Sequence, residues 1–143
     1  MPRLELLYNA QDPQHALGQA MIPSQIKVKT QSQCLALTYA DAQFELSYEF
    51  LRVHSPSAEV RGHGGSPSVL QYGKKDVVLL RIIPTGNYAL QLVFDDGHDS
   101  GLYDWNYLRY LCDHHEALWQ AYLARLEQAG KTRESPVIHF KAL

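Results

Sequence analysis

The chain lacks long hydrophobic runs, and no stretch approaches the ~18 consecutive apolar residues that a transmembrane helix requires. Near Met1 it also lacks the basic segment and apolar run of a secretory signal peptide. Neither sign of charge is in large excess, because the chain has 13 Lys and Arg residues and 15 Asp and Glu residues, which gives a formal net charge of −2. We therefore expect a cytoplasmic protein with no membrane partner. Nucleic acid is not expected either, because its recognition usually requires a basic patch.

Cysteine is scarce, and the two that occur, Cys34 and Cys112, are far apart and outside any CxxC pair. Two buried free thiols are the default interpretation. The chain also has no GxSxG motif, and Gly62-His63-Gly64-Gly65 lacks the spacing of phosphate-binding loops. With no catalytic signature in the sequence, we expect the protein not to be an enzyme.

What the chain does have is the composition of one globular domain. It contains 143 residues, of which 45% are hydrophobic and 20% charged, enough for a core without disulfides or metal. Well-patterned sequence runs over 24–130. We therefore divide the chain into an N-terminal extension (1–23), one domain (24–130) and a C-terminal tail (131–143).

Alternating apolar residues predict four strands in the first two thirds of that domain, and the β-branched run 76–83, with apolar residues on both faces, predicts a central strand. The predicted strands are 26–30, 34–39, 44–48, 76–83 and 88–94. Short links between the first three favour an antiparallel meander, and the turn Pro84-Thr85-Gly86-Asn87 favours a hairpin of the last two.

Changes in hydrophobic spacing predict helices elsewhere. Ser47 is placed to cap a short helix over 48–53, and a second helical turn is expected from Pro56 to Val60. A long helix should run from an Asp104 N-cap to Gly130, with Trp119 and Leu123 facing the sheet. The predicted fold is therefore α+β: a mainly antiparallel, twisted sheet of about five or six strands with one long C-terminal helix packed on it.

Histidine is the residue type that raises a metal hypothesis. His98 follows the turn Asp95-Asp96-Gly97, while His54 and His63 flank the glycine-rich segment 61–75. If they converge, these three form a shallow metal site. The alternative is that His98 caps its turn by bonding Asp95 or a backbone carbonyl, while the other two are solvated. The residues alone leave both possibilities open.

Three motifs, in this order, resemble the gamma-butyrobetaine hydroxylase-like N-terminal domain family. They are LRVHSPSAE at 51–59, PTGNYAL at 84–90, and the pair DGH at 96–98 with GLYDW at 101–105. The resemblance spans roughly 24–111 and implies a small β-rich domain with a helix. Such domains occur alone in bacteria, ahead of the catalytic domain in gamma-butyrobetaine and trimethyllysine dioxygenases, or attached to Mrp-type iron–sulfur scaffold ATPases.

The resemblance also implies a zinc site that this chain does not retain. In the dioxygenases, three cysteines and a later histidine hold a structural zinc; the corresponding positions here are Ser55, Ser57, Val60 and His98. A serine hydroxyl is a poor zinc ligand and valine is none, so we expect no zinc and no cofactor. The dioxygenase activity itself belongs to a separate catalytic domain.

The expected function is therefore a non-catalytic binding or adaptor domain with a protein partner. The family's attachments suggest iron–sulfur or other metal-protein assembly as its setting. The alternative is a small metal-binding protein or metal-dependent enzyme that uses His98 with His54 or His63, for which weak metal binding would suffice.

Overall fold

The fold is that of a computed structural model, which describes residues 21–62 and 68–136. His63, most of the N-terminal extension and the end of the tail lie outside these ranges. The described elements, in chain order, are β1 (Gln25–Lys29), β2 (Cys34–Thr38), β3 (Gln43–Ser47), α1 (Tyr48–Val53), α2 (Ala58–Arg61), β4 (Leu79–Thr85), β5 (Ala89–Phe94), β6 (Leu102–Asp104), α3 (Trp105–Asp113) and α4 (His115–Ala129).

The first three strands form the antiparallel meander that their alternation predicts. Ile26 of β1 lies opposite Leu37 of β2, and Leu35 of β2 lies opposite Leu46 of β3. All four side chains are buried, because alternate residues of a strand point to the same face. The opposite face carries the lysines of β1.

The last three strands form a second antiparallel sheet in the order β4-β5-β6. The prediction of a central strand over 76–83 is therefore wrong, because β4 lies at the edge of this sheet. The hairpin of β4 and β5 is confirmed, although the strand continues to Thr85 and Pro84 pairs with Leu90 instead of opening the turn. Gly86 makes that turn with a φ of 55°, a conformation that favours glycine.

The prediction of one sheet of about five or six strands is wrong, because the six described strands divide into two sheets of three. The helices α1 and α2 and the segment 68–78 separate β3 from β4, so these strands never pair. The buried faces of both sheets share one core, which includes Leu35 and Leu37 from the first and Leu90 and Leu92 from the second. The α+β class and the antiparallel pairing are confirmed.

The two short helices begin at serine caps. The Ser47 Oγ accepts from Phe50 N at 3.0 Å, which confirms the predicted start of α1. The Ser57 Oγ accepts from Glu59 N at 3.2 Å, so α2 begins after Ser57 and not at Pro56 as predicted. Ser57 belongs to the 51–59 motif, whereas Ser47 precedes it.

The predicted single long helix is interrupted at His114, whose φ of −113° and ψ of 19° separate α3 from α4. The Asp104 cap and the end at Gly130 are confirmed. The interruption changes what each half covers. Leu108 and Leu111 of α3 are buried in the shared core, whereas the buried residues of α4 pack in a second cluster.

That second cluster lies on α1 and not on a sheet. Tyr122 and Leu126 of α4 pack with Val53, and the half-buried Leu123 packs against them. Leu123 therefore does not face the sheet as predicted, while Trp119 is half-buried where the two clusters meet. The prediction of one helix lying on the sheet holds for α3 alone.

The beginning of the tail returns to the domain. Gly73 N donates to Thr132 O and Lys75 N donates to Arg133 O, each at 3.0 Å. The Arg133 guanidinium also bonds both carboxylate oxygens of the buried Glu49, at 2.7 and 2.8 Å.

Within the described ranges, no helix has the length and apolar character needed to cross a membrane. Cys34 and Cys112 are buried free thiols, as expected.

Candidate functional site

The loop between α1 and α2 meets the turn after β5 at a buried hydrogen-bonded cluster. The Ser55 Oγ lies 2.7 Å from His98 Nε2, and His98 Nδ1 lies 3.3 Å from a carboxylate oxygen of Glu59. Because a carboxylate only accepts, its proximity favours the neutral tautomer with the proton on Nδ1, in which Nε2 accepts from the Ser55 hydroxyl. The Ser55 Oγ accepts in turn from Ser57 N at 3.2 Å.

A second pair of hydroxyls closes this cluster at its outer side. The Ser57 Oγ lies 2.7 Å from the Ser100 Oγ, which donates to Glu59 at 3.5 Å. The sequence positions 55, 57 and 98 therefore converge, and they do so through hydrogen bonds among themselves.

The turn that presents His98 is fixed by Asp96. One carboxylate oxygen of Asp96 accepts from His98 N at 3.1 Å, and the other accepts from Arg52 Nε at 2.8 Å and Lys74 Nζ at 2.7 Å. Burial would raise the pKa of Asp96, but the hydrogen bonds from Lys74, His98 N and Arg52 lower that pKa to about 2. Asp96 therefore stays ionised at neutral pH and links α1 to the turn.

His98 itself is held neutral by its surroundings. Burial lowers its pKa, and the charge of Arg52 lowers the pKa further, against the opposing effect of Glu59 and Asp96. A neutral imidazole is what the cluster needs, because its Nε2 must accept from Ser55.

Gly101 lets the two segments approach this closely. A Cβ atom at position 101 would lie 2.5 Å from the Ser55 Oγ and 3.1 Å from a ring carbon of Tyr103. A larger residue would therefore displace the hydroxyl that bonds His98.

These residues do not fit the structural zinc of the dioxygenases. The hydroxyls of Ser55 and Ser57 and the imidazole of His98 already satisfy one another, and the aliphatic Val60 offers no donor. Over residues 21–62 and 68–136, no group of three or more His, Cys, Asp or Glu side chains is arranged to hold a metal. The contacts of His98 also differ from the capping interpretation, which predicted Asp95 or a backbone carbonyl as partner of the ring.

His54 lies outside the serine cluster and has contacts of its own. Its Nδ1 lies 2.9 Å from Phe50 O, and its ring packs on Phe50 with a centroid distance of 4.4 Å. Burial lowers the pKa of His54, and the charges of His115 and Arg125 act in the same direction. The structure therefore groups His98 with the two serines and not with His54, while His63 lies outside the described residues.

Next to His54 is a cavity of about 250 Å³ between the α1–α2 region, segment 68–71, Tyr107 and α4. We call it the α4 cavity. Most of its wall is apolar, and the main contributors are Val53, Val60, Val69, Leu70, Leu118 and Tyr122. Ser55 also lines the α4 cavity but is only 1% exposed.

Two arginines line the α4 cavity. The Arg61 guanidinium lies 4.7 Å from the centroid of the Tyr107 ring, and Arg125 donates to the Oγ and the carbonyl of Ser68 at 3.0 Å each. Within the described part of the chain, neither has a carboxylate within 4.0 Å. Sequence reasoning missed both, because they lie far apart in the chain and exposed arginines are common.

Comparisons with known proteins identify the family to which the chain is similar. A family model described as "Gamma-butyrobetaine hydroxylase-like, N-terminal" matches residues 26–109. A protein solved by NMR is 51% identical over 87% of this chain and 98% of its own, with a TM-score of 0.73. A second NMR structure is 41% identical over 94% of this chain and 99% of its own, with a TM-score of 0.70.

A crystal structure from Acidithiobacillus ferrooxidans shows a protein of unknown function in the DUF971 family. It is 34% identical over 62% of this chain and 90% of its own, with a TM-score of 0.52. No curated protein matches the chain.

Proposed function

This chain belongs to the gamma-butyrobetaine hydroxylase-like N-terminal family, and from that premise we propose that it is a non-catalytic domain that binds a protein partner. The observation that carries the proposal is the α4 cavity. Its wall offers apolar contact and two guanidinium groups that lack a carboxylate partner among the described residues. An apolar cavity with few placed polar groups is the usual form of a binding site.

The Ser55–His98–Glu59 chain must be weighed first, because its order is that of a Ser-His-acid catalytic triad. In a triad the serine is accessible to substrate and the acid is buried. Here the order of exposure is reversed, because Ser55 is 1% exposed and the Glu59 side chain is 73% exposed. Gly101 also packs directly against the Ser55 Oγ. These contacts favour a structural role, in which the cluster holds the α1–α2 loop to the turn after β5.

Covalent labelling tests the non-catalytic part of the proposal. The native protein should form no adduct with a fluorophosphonate probe, because the Ser55 hydroxyl is buried and already bonded to His98. Intact-protein mass spectrometry is the readout, with a serine hydrolase as positive control. An adduct that disappears in Ser55→Ala would show an activated nucleophile and overturn the proposal.

The binding part is tested with a matched pair of variants on α4. Ala121 lines the cavity and Ala124 does not, and both are exposed residues of the same helix. Ala121→Glu should weaken binding of a purified partner, because it narrows the cavity and opposes anionic groups, whereas Ala124→Glu should not.

The partner is obtained by affinity capture from the native cell, and its purified form is titrated calorimetrically against wild type and both variants. Equal binding by all three would show that the α4 cavity is not the binding site. No saturable binding by the wild type would overturn the binding function itself.

The setting we propose is iron–sulfur or other metal-protein assembly, supported by the family's attachment to iron–sulfur scaffold ATPases. A captured partner that contains no metal or cluster, and that does not act on proteins that do, would overturn this setting and leave the binding function intact. The alternative of a metal protein predicts instead a stoichiometric metal in untagged protein that is lost in His98→Ala or His54→Ala.

A further inference from the structure

Within residues 21–62 and 68–136, the contacts that hold the two arginines of the α4 cavity leave their charges unpaired. Arg61 is held by the face of Tyr107, and Arg125 by two bonds to Ser68, and neither of these contacts carries negative charge. A guanidinium has five N–H donors, of which the Ser68 bonds occupy two on Arg125. The remaining donors suit an anion, above all a carboxylate or phosphate that can be bonded in two places.

The wall limits which anion the cavity can hold. Leu70, Leu118 and Tyr122 are among the apolar contributors, and an inorganic anion would leave them without contact. A volume of about 250 Å³ also lies just below the ~300–1,000 Å³ of most ligand pockets. The occupant should therefore be small and should combine an apolar group with one negative charge.

We propose that the α4 cavity binds an apolar group that ends in a carboxylate, supplied by the C-terminal residue of a protein partner. The apolar side chain of that residue would pack on Leu118 and Tyr122, and its carboxylate would bond Arg61 and Arg125. The inference rests on the proposed binding function, which makes a protein the source. A free carboxylic acid shares the chemistry, so the experiment has to separate the two sources.

The full chain is titrated with four probes while its amide and methyl resonances are followed by NMR. The probes are acetyl-Gly-Gly-Leu with a free carboxylate, the same peptide with a C-terminal amide, hexanoate and inorganic phosphate. The free peptide should shift resonances of Leu70 and Leu118 saturably. The amidated peptide should bind at least about tenfold more weakly, because it lacks the charge-assisted hydrogen bonds.

Variants assign the effect to the cavity. Arg61→Gln and Arg125→Gln should each weaken binding of the free peptide by about tenfold. Binding of the amidated peptide should stay unchanged in both variants. Ala121→Glu should abolish binding of the free peptide, and Ala124→Glu should preserve it. Each variant is first shown to keep the wild-type unfolding midpoint, so that lost binding is not lost folding.

Several outcomes would overturn the inference. Equal affinity for the free and amidated peptides would exclude carboxylate recognition, and tighter binding of hexanoate would make a free acid the ligand. Tighter binding of phosphate, or no binding by any probe at millimolar concentration, would also refute it. If the purified partner still binds in an Ala121-dependent way when the probes do not, this inference fails while the proposed function stands.

Discussion

Ser55 is the residue through which the two motif segments are joined, and its surroundings show why position 101 is glycine. The Ser55 Oγ lies 2.7 Å from His98 Nε2 and would be 2.5 Å from a Cβ atom at position 101. The hydroxyl and a side chain at 101 therefore compete for one space. If the Ser55 hydroxyl is displaced, the His98 imidazole stays buried without its hydrogen bond, and nothing compensates the free energy of its desolvation.

Gly101→Ala should therefore destabilise the fold by about 1–3 kcal/mol, because it displaces the Ser55 hydroxyl and leaves His98 Nε2 without its partner. Urea unfolding is the measurement. The same change in a Ser55→Ala background is the control, and it should cost less because the competing oxygen is gone. Equal costs in the two backgrounds would show that the contact with Ser55 does not matter.

The stability of the fold should also depend on the buried His98 and the half-buried His54. The pKa values of His98 and His54 are lowered from 6.5, so the unfolded chain binds their protons more readily than the folded protein. Their contribution is fully present above pH 6.5 and is lost as the pH falls through the folded pKa values.

The free energy of unfolding, measured with urea, should therefore fall as the pH is lowered from 7.5 to 5. His98→Gln should reduce the slope of this free energy against pH. His114→Gln, which replaces an exposed histidine, is the matched control and should keep the wild-type slope. Stability that rises as the pH falls through this range would contradict the prediction.

At the scale of elements, the interruption at His114 gives α3 and α4 different partners. Leu108 and Leu111 of α3 lie in the shared core, whereas Tyr122 and Leu126 of α4 lie with Val53 of α1. The apolar stripe runs through the interruption without a proline or glycine, so the sequence gives no signal of it. The Ser47 and Asp104 caps and the end at Gly130 were predictable because they depend on neighbouring residues only.

Leu126→Ala should lower the free energy of unfolding by about 2–5 kcal/mol, because Leu126 is buried and its truncation leaves a cavity. Leu123→Ala should cost less, since Leu123 is half-buried at the edge of the same cluster. The midpoints of thermal unfolding rank the two variants. A larger loss in Leu123→Ala would mean that α4 packs by a different face.

At the scale of the whole molecule, the sequence predicts strands better than their arrangement. Alternation in β1 or β5 says which side chains share a face, but not which strand lies next to β3, so the division into two sheets was missed. The candidate site, like the fold, could be predicted only in part. Ser55, Ser57 and His98 follow from the family motifs, whereas Arg61 and Arg125 are distant in the chain and only the tertiary fold brings them to one cavity.

The folded protein should not depend on zinc. The donor set of Ser55, Ser57, Val60 and His98 lacks the thiolates of a structural zinc site. The unfolding midpoint should therefore be the same with and without a strong chelator, and elemental analysis of untagged protein should find no stoichiometric zinc. A bound zinc whose removal unfolds the protein would contradict this and would call for His54 and His63 as ligands.

The small cluster of Val53, Tyr122 and Leu126 has a consequence for motion. It anchors α4 with far fewer buried residues than the core that holds α3. A helix docked on so little buried surface opens in a local fluctuation that leaves the rest of the molecule intact. Since α4 forms one wall of the α4 cavity, we expect such local opening to let the proposed occupant enter and leave on a timescale far shorter than that of global unfolding. Amide protons of α4 would then exchange with solvent before those of β5.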